Sequence, residues 1–336
     1  MINEVPPSVD TLWDKTEDQF MKTFKYYKSN KPPPLLAEVI NIEDINNTDK
    51  ILLLTQKNAV QEDERAKQLG LRELKSWQLY SFKEHPGLFL IRNPFTSNGQ
   101  RYWIQKCLQV YPRKPNKRNI DMETNVEDWW EACHRHGRCD KQLMKKLRWT
   151  TLGYHHNWDT KVYSDDNKSV FPEELSALCD VVARYLGYEE FRAEAAIVNY
   201  YHMNSTLSAH TDHSEVNLEA PLFSFSFGQS AIFLIGGRDK TTVPSAILLN
   251  SGDVMVMSKE ARLCYHAVPK ILPYAPTPWN DEAFDDQLDI MYMKDTRRSP
   301  PFKLNEWSIF ENYIKESRIN MNVRQVLYET QCNLKD

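Results

Sequence analysis

Arg318-Ile319-Asn320-Met321-Asn322-Val323-Arg324 alternates without a break between polar and apolar side chains. Successive side chains of a β-strand point to opposite faces, so Arg318, Asn320, Asn322 and Arg324 share one face while Ile319, Met321 and Val323 share the other. The apolar face is a core face. If the polar face also points inward, two guanidinium groups and two amides are buried at a cost unless something charged lies between them. A dicarboxylate meets that need, because the planar fork of arginine engages a carboxylate in bidentate fashion. The alternative is an edge strand with one wet face.

Upstream, β-branched and aromatic runs separated by Gly, Asn, Ser and Pro predict short strands at residues 195–201, 222–227, 231–235, 246–249 and 253–257, and the run that starts at Arg318 extends to Leu327. In the second of these, Phe223, Phe225 and Phe227 alternate with Ser224 and Ser226, so one face is buried and the other can line a cavity. Residues 88–91 read as a strand closed by Asn93-Pro94, and residues 102–110 as an amphipathic helix. Phe171-Pro172-Glu173-Glu174 starts a helix that carries Leu175, Leu178, Val182 and Leu186 on one face and stops at Gly187. Phe20, Phe24 and Tyr27 define a further helix over residues 16–28, which Pro32-Pro33-Pro34 ends.

Helices followed by many short strands predict an α+β protein whose strands close into a jelly roll, a double-stranded β-helix, with a helical N-terminal extension. The expected division is an irregular or helical extension over residues 1–86, of lower order as far as about residue 80, and a catalytic domain over 87–336. The proline- and acid-rich residues 269–301 are expected to form a long surface loop.

The chain has 336 residues, of which 41% are hydrophobic and 12% aromatic, ample for a real core. A net charge of −4 argues against a histone-like polycation but averages over local patches. Six scattered cysteines and a start without a basic or apolar leader predict free thiols in a reducing compartment: nucleus, cytoplasm or mitochondrion. No apolar run approaches the roughly 20 residues a membrane span needs, and a monomer is expected.

His210-Thr211-Asp212 places an imidazole and a carboxylate two residues apart, and a second imidazole, His266, is expected from another strand. Two imidazoles and one carboxylate on one side of an ion leave the remaining positions open, the facial arrangement that suits non-haem iron(II) taking a cosubstrate and O₂. His213 falls on the opposite side by strand parity, and His202 has no supporting motif. Asn199 and Tyr201 share a face at the end of the preceding strand, where an amide and a phenol can bond the same cosubstrate.

Asn199-x-Tyr201, His210-x-Asp212, the distal His266 and Arg318-x-Asn320-x-x-x-Arg324 occur in this order, and in them the chain resembles the AlkB dioxygenases. It looks closest to the branch of the first animal homologue, on the strength of the residues from Leu147 to Trp158, Phe191-Arg192-Ala193-Glu194-Ala195, and the residues from Phe223 to Leu234. The likeness runs from the N-terminal helix to Leu327. It implies iron at His210, Asp212 and His266; Arg318 on the distal carboxylate of 2-oxoglutarate; Arg324 near its metal-chelating end; and hydrogen bonds from Asn199, Tyr201 and Asn320. The implied reaction couples decarboxylation of 2-oxoglutarate to hydroxylation of a methyl carbon, which then leaves as formaldehyde. In the bacterial DNA-repair member an acid two places after the iron aspartate helps recognise the base; here that position is Ser214, and the acid is Glu215. The resemblance therefore implies transfer-RNA marks, 1-methyladenine and 5-methylcytosine, with N6-methyladenine in DNA or histones as further substrates.

Tyr154, His155 and Trp158 are candidates to hold a base taken out of its stack, or core aromatics. Arg113, Lys114, Lys117, Arg118, Lys141, Lys145, Lys146 and Arg148 form either a phosphate-facing patch or a solvated helix surface. Cys133, His134, His136 and Cys139 match no zinc spacing. Two rival readings remain: oxidation of a protein by the same centre, and a binding module that retains only the fold.

Overall fold

The structure, a computed structural model, describes residues 17–44, 49–55, 62–135, 139–280 and 307–335. Helix α1 (Gln19–Lys28) is capped by Asp18, whose side chain accepts from the Met21 amide at 2.7 Å. Then come β1 (Ile51–Leu54), α2 (Glu64–Gln68), β2 (Gln78–Phe82), β3 (His85–Arg92) and α3 (Ser97–Gln105), which continues as one π-turn to Val110. Short elements follow, β4 (Lys117–Arg118), α4 (Trp129–Cys133), α5 (Lys141–Lys146) and β5 (Trp149–Gly153), before the long α6 (Glu173–Tyr185). The rest is mainly strand: β6 (Ala195–His202), β7 (Leu207–His210), β8 (Leu222–Gly228), β9 (Ser230–Ile235), β10 (Ser245–Leu249), β11 (Val254–Met257), β12 (His266–Leu272), then α7 (Trp307–Ile314) and β13 (Ser317–Arg324).

These strands form a nine-stranded sheet, ordered β1-β2-β3-β11-β8-β13-β6-β5-β4, and a four-stranded sheet, β10-β9-β12-β7. The layers follow from side-chain alternation. Phe223, Phe225, Phe227, Ile319, Met321 and Val323 pack with residues of α3, α4, α6 and α7, so one face of the large sheet is covered by helices. From its other face Leu88, Leu90, Met255, Met257, Leu222 and Tyr201 meet Phe233, Ile235, Ile247 and Val268 of the small sheet. Phe20, Phe24 and Tyr27 of α1 cover the outer side of the small sheet against Ile232, Leu234 and Ala267. This is the two-sheet jelly roll expected from the sequence.

The arm before residue 80 differs from expectation. β1 pairs with β2, and β2 with β3, so residues 51–54 and 78–82 extend the large sheet, and position 87 falls inside β3. Residues 62–76, between them, carry α2 and a short 3₁₀ turn, with Ala66, Leu69, Leu71 and Leu74 buried against the helical layer. The segment looked weakly patterned because these elements are short and interleaved with charge. Of the expected loop over 269–301, residues 269–272 belong to β12 and 281–301 lie outside the described residues.

Candidate active site

The polar face of β13 points between the sheets. Its neighbours β6 and β8 are in register, so Arg318 stands beside Tyr201 and Gly228, and Asn320 beside Asn199 and Ser226. Gly228 turns the chain with φ of 86°, and a Cβ there would come 2.4 Å from the Ser317 carbonyl oxygen, so only glycine fits opposite Arg318. Asn320 Nδ2 donates to Ser224 Oγ at 2.8 Å and to the Phe225 carbonyl at 3.1 Å.

Arg318 is 2% exposed. Its Nη1 donates to the Gln229 carbonyl at 3.1 Å and its Nη2 to Ser226 Oγ at 2.7 Å, while Nε is buried with no partner among the described residues. Burial pulls this guanidinium down to about 10. A buried cation whose bonded partners are all neutral, with one donor unmet, is the arrangement a dianionic carboxylate ligand completes. Tyr201, 4% exposed, is pushed up by burial to about 12 and so keeps its proton as a donor.

At the other end of the strand Arg324 is ion-paired. Its Nη2 lies 3.0 Å from Asp212 Oδ2 and its Nε 3.1 Å from Glu215 Oε1. Glu215 also pairs with buried Arg262 at 3.1 Å, and Arg262 Nη1 donates to the Asp212 carbonyl at 2.7 Å. Asp212 is thus held at both its backbone and its carboxylate. Burial alone would raise that carboxyl; Arg324 and the neighbouring imidazoles outweigh it and hold Asp212 well below the usual carboxylate range.

His210, Asp212 and His266 each offer a ligand atom within 4.8 Å of the others, the one such cluster among the described residues. His210 ends β7 and lies opposite His266, which begins β12; their ring centroids are 4.2 Å apart. His210 Nδ1 lies 2.9 Å from the Ser208 carbonyl and His266 Nδ1 3.1 Å from the Cys264 carbonyl. A carbonyl only accepts, so each Nδ1 carries the proton and each Nε2 presents its lone pair to the cluster. Burial, reinforced by His210, lowers His266 to about 3 and keeps it neutral, as a metal ligand must be. The donor set and the tautomers fit a divalent iron.

His210 and Asp212 do not share a strand face as their spacing predicts: β7 stops at His210, so Asp212 lies beyond the strand, positioned by Arg262 and Arg324. His213 is exposed and bonds Thr211; His202 is half-buried, 3.3 Å from Ser317 Oγ.

The expected substrate residues separate. Tyr154 is buried and donates to Asp165 Oδ1 at 2.8 Å, and His155, 2% exposed, bonds Thr151 Oγ1 at 2.8 Å; both are structural. Gly153, with φ of 68°, ends β5. His156 is half-buried, with its ring 5.5 Å from that of Tyr163, and burial, helped by the charge of Arg324, lowers its pKa. Trp158 is 42% exposed and packs on Trp149 (5.2 Å) and His156 (4.6 Å). Trp149 stands in register with Asn199, which is in turn beside Asn320. Glu215, 2% exposed at its side chain, is enclosed in ion pairs and accepts from Tyr163 at 3.3 Å, and Ser214 is half-buried. Tyr163 and Arg262 carry no sequence signal of their own and are found only through the fold, while Trp149 and His156 lie in the stretch from Leu147 to Trp158 without being singled out in it.

The basic run is also sorted. Arg113 pairs with Asp128, Lys114 with Glu127, and buried Arg118 with Asp121, whereas Lys117 bonds Asn167. Lys141, Lys145, Lys146 and Arg148 are exposed, with no carboxylate partner among the described residues. Cys133 is buried and pushed up by burial to about 12, so it is a thiol; Cys139 is exposed, and His136 lies outside the described residues.

A facial His-Asp-His cluster beside a buried, carboxylate-seeking arginine inside a jelly roll defines a non-haem iron oxygenase with an organic-acid cosubstrate. The chain belongs to the 2OG-Fe(II) oxygenase superfamily, whose description matches residues 87–324, and its cofactors are iron(II), 2-oxoglutarate and O₂. It is 38% identical to the nucleic acid dioxygenase ALKBH1 of Homo sapiens, over 95% of this chain and 87% of that protein. It is 32% identical to the tRNA demethylase abh1 of Schizosaccharomyces pombe, over 76% of this chain and 84% of that one. To the DNA N(6)-methyladenine demethylase ALKBH1A of Arabidopsis thaliana it is 30% identical, over 76% and 81%.

Proposed function

We propose that the protein oxidatively demethylates bases of nucleic acid, with tRNA carrying 1-methyladenine or 5-methylcytosine as its foremost substrate and N6-methyladenine in DNA as a second. His210, Asp212 and His266 hold the iron. Arg318, with Tyr201, Asn199 and Asn320, grips the distal part of 2-oxoglutarate, and Arg324 fixes Asp212 beside its chelating end. Bound there, iron, cosubstrate and O₂ supply the oxidising power for a methyl C–H bond. The chain contributes binding, orientation and exclusion of water.

The observation that carries the nucleic-acid reading is the rim of the site. Trp149 and Trp158 pack together at 5.2 Å, Lys161 lies 6.0 Å from the Trp158 ring, and Arg148 precedes Trp149 with Lys145 and Lys146 on the adjoining helix. Stacking aromatics flanked by exposed cations suit bases and phosphates together. The names of the relatives agree with that chemistry. We take the protein to be an intracellular monomer of the nucleus, cytoplasm or mitochondrion.

The test is nucleoside mass spectrometry of bulk tRNA incubated with protein, iron(II), ascorbate and 2-oxoglutarate, beside Asp212→Ala. Loss of 1-methyladenine or oxidation of 5-methylcytosine only with the intact protein is expected. Succinate formation stimulated by histone, with every tRNA and DNA mark unchanged, would overturn the nucleic-acid reading and leave the iron chemistry standing.

A further inference from the structure

We propose that when a carboxylate of the cosubstrate occupies Arg318, Asp253 takes up a proton from solvent, so that Asp253 is the proton-linked counter-charge of the 2-oxoglutarate pocket. The inference rests on the assignment of Arg318 to that pocket.

Two buried ionisable groups of opposite sign lie on either side of Ser226. Arg318 Nη2 donates to the Ser226 hydroxyl at 2.7 Å, and the Ser226 amide donates to the backbone carbonyl of Asp253 at 3.0 Å. Arg318 is 2% exposed and Asp253 also 2%, yet they do not form an ion pair. The Asp253 carboxyl accepts from the Asn250 amide at 2.7 Å and, weakly, from the Asn93 amide at 3.3 Å. The charged groups that act on it are Arg318, from β13, which favours its ionised form, and Glu43, which opposes it and is itself paired with Arg92 of β3 at 2.6 Å. From the other packed elements it meets neutral groups: Ser226 on β8, and Asn93, which Gln100 of α3 holds at 2.9 Å.

Burial pushes Asp253 up to about 7, against those amide bonds and the attraction of Arg318. The carboxyl is thus poised where a small change of field decides its charge. The Asn250 and Asn93 amides and, after them, the Arg318 charge favour the ionised form; a carboxylate arriving at Arg318 offsets that charge, and a buried acid whose favourable field weakens binds a proton more readily. The reaction is Asp253–COO⁻ + H⁺ → Asp253–COOH, with no other bond made or broken. Reciprocally, the cosubstrate binds best when Asp253 is already protonated. Affinity is flat below the free-state pKa and falls as pH rises above it, by at most about tenfold per pH unit.

Calorimetric titration of 2-oxoglutarate into anaerobic, iron(II)-loaded full-length protein at pH 7, in buffers of different ionisation enthalpy, counts the protons directly. A fraction of a proton taken up per site is expected, with Kd rising several-fold between pH 6 and pH 8. Asp253→Asn, which mimics the protonated acid, should bind as the wild type does at pH 6, with no proton uptake and no pH dependence. Zero uptake by the wild type, or the same uptake by D253N, overturns the inference. If D253N does not fold, carboxyl-carbon NMR of the aspartate-labelled, zinc-loaded wild type decides. One aspartate must titrate near neutrality and move to higher pH on adding 2-oxoglutarate; its absence overturns the inference. Binding that survives Arg318→Met unchanged would instead refute the pocket assignment.

Discussion

Glu215 is where the structure departs most usefully from the residue pattern, and Glu215→Gln tests the difference. Read along the chain, Glu215 is the acid near the iron motif and a candidate to recognise the substrate base. In the fold its two oxygens are divided between two buried guanidiniums, Oε1 to Arg324 and Oε2 to Arg262, both at 3.1 Å. Glutamine preserves the volume but has one acceptor, so its NH₂ must face one of those arginines and leave it short of a partner. Breaking a buried ion pair from one side costs about 3–5 kcal/mol. In a chain of this size each kcal/mol lowers Tm by roughly 2 °C, so the midpoint of thermal unfolding followed by circular dichroism should drop by about 6–10 °C. Turnover of tRNA by the surviving folded protein at low temperature should show a KM within about twofold of wild type, because both Glu215 oxygens are taken up by Arg324, Arg262 and Tyr163. A Tm within about 2 °C of wild type together with a large rise in KM for tRNA would refute this reasoning and return Glu215 to the substrate.

Arg318→Met should weaken 2-oxoglutarate binding by at least about thirtyfold, since truncating one partner of a buried charge pair costs roughly 2–5 kcal/mol; calorimetry with iron-loaded protein checks it. Saturating iron(II) under anaerobic conditions should raise Tm, by an amount worth about 2.7 kcal/mol at a hundred times Kd. That increment should vanish in His266→Ala, and differential scanning fluorimetry reads both. Trp158→Ala, at an exposed position, should leave Tm unchanged and weaken tRNA binding by about 1–3 kcal/mol, with 2-oxoglutarate affinity intact. For pH, His155 is buried and lowered to about 4, so the unfolded chain binds its proton first. Its contribution to stability is present above the ordinary histidine pKa and lost as pH falls toward 4, and a His155→Asn variant should show a shallower loss of Tm over that range.

What the sequence disclosed was whatever local periodicity encodes. The alternation of β13 and of Phe223 to Phe227 fixes which side chains face the helices and which face the gap between sheets, and a one-residue error would have exchanged them all. The same logic put Asn199, Tyr201, Arg318 and Asn320 on one surface before any fold was known, and the register of β6, β13 and β8 sets them side by side. It fails where the backbone leaves the strand conformation. Gly153, with φ of 68°, ends β5, so the alternation gives no facing for Tyr154, His155 and His156 beyond it. Asp212 follows the end of β7, and the residue that aims it is Arg262, fifty residues downstream in a 3₁₀ turn with no pattern to mark it. The β1 and β2 strands were missed because a four- or five-residue strand amid charge offers too few repeats to be read.

The two ends of β13 also explain why one strand carries two arginines of opposite behaviour. Arg324 is ion-paired with both Asp212 and Glu215 and serves to hold an anionic ligand atom beside the imidazoles of His210 and His266. Arg318, at the opposite end of the strand, has only hydroxyl and carbonyl partners and one empty donor. A strand with both arginines satisfied would be more stable and would bind no dicarboxylate; with both unsatisfied, the metal site would lose its carboxylate clamp. The division between them is therefore what a cosubstrate that chelates at one end and is anchored at the other requires. It predicts that the double variant Arg318→Met with Arg324→Met loses stability mainly through the second substitution and cosubstrate affinity mainly through the first.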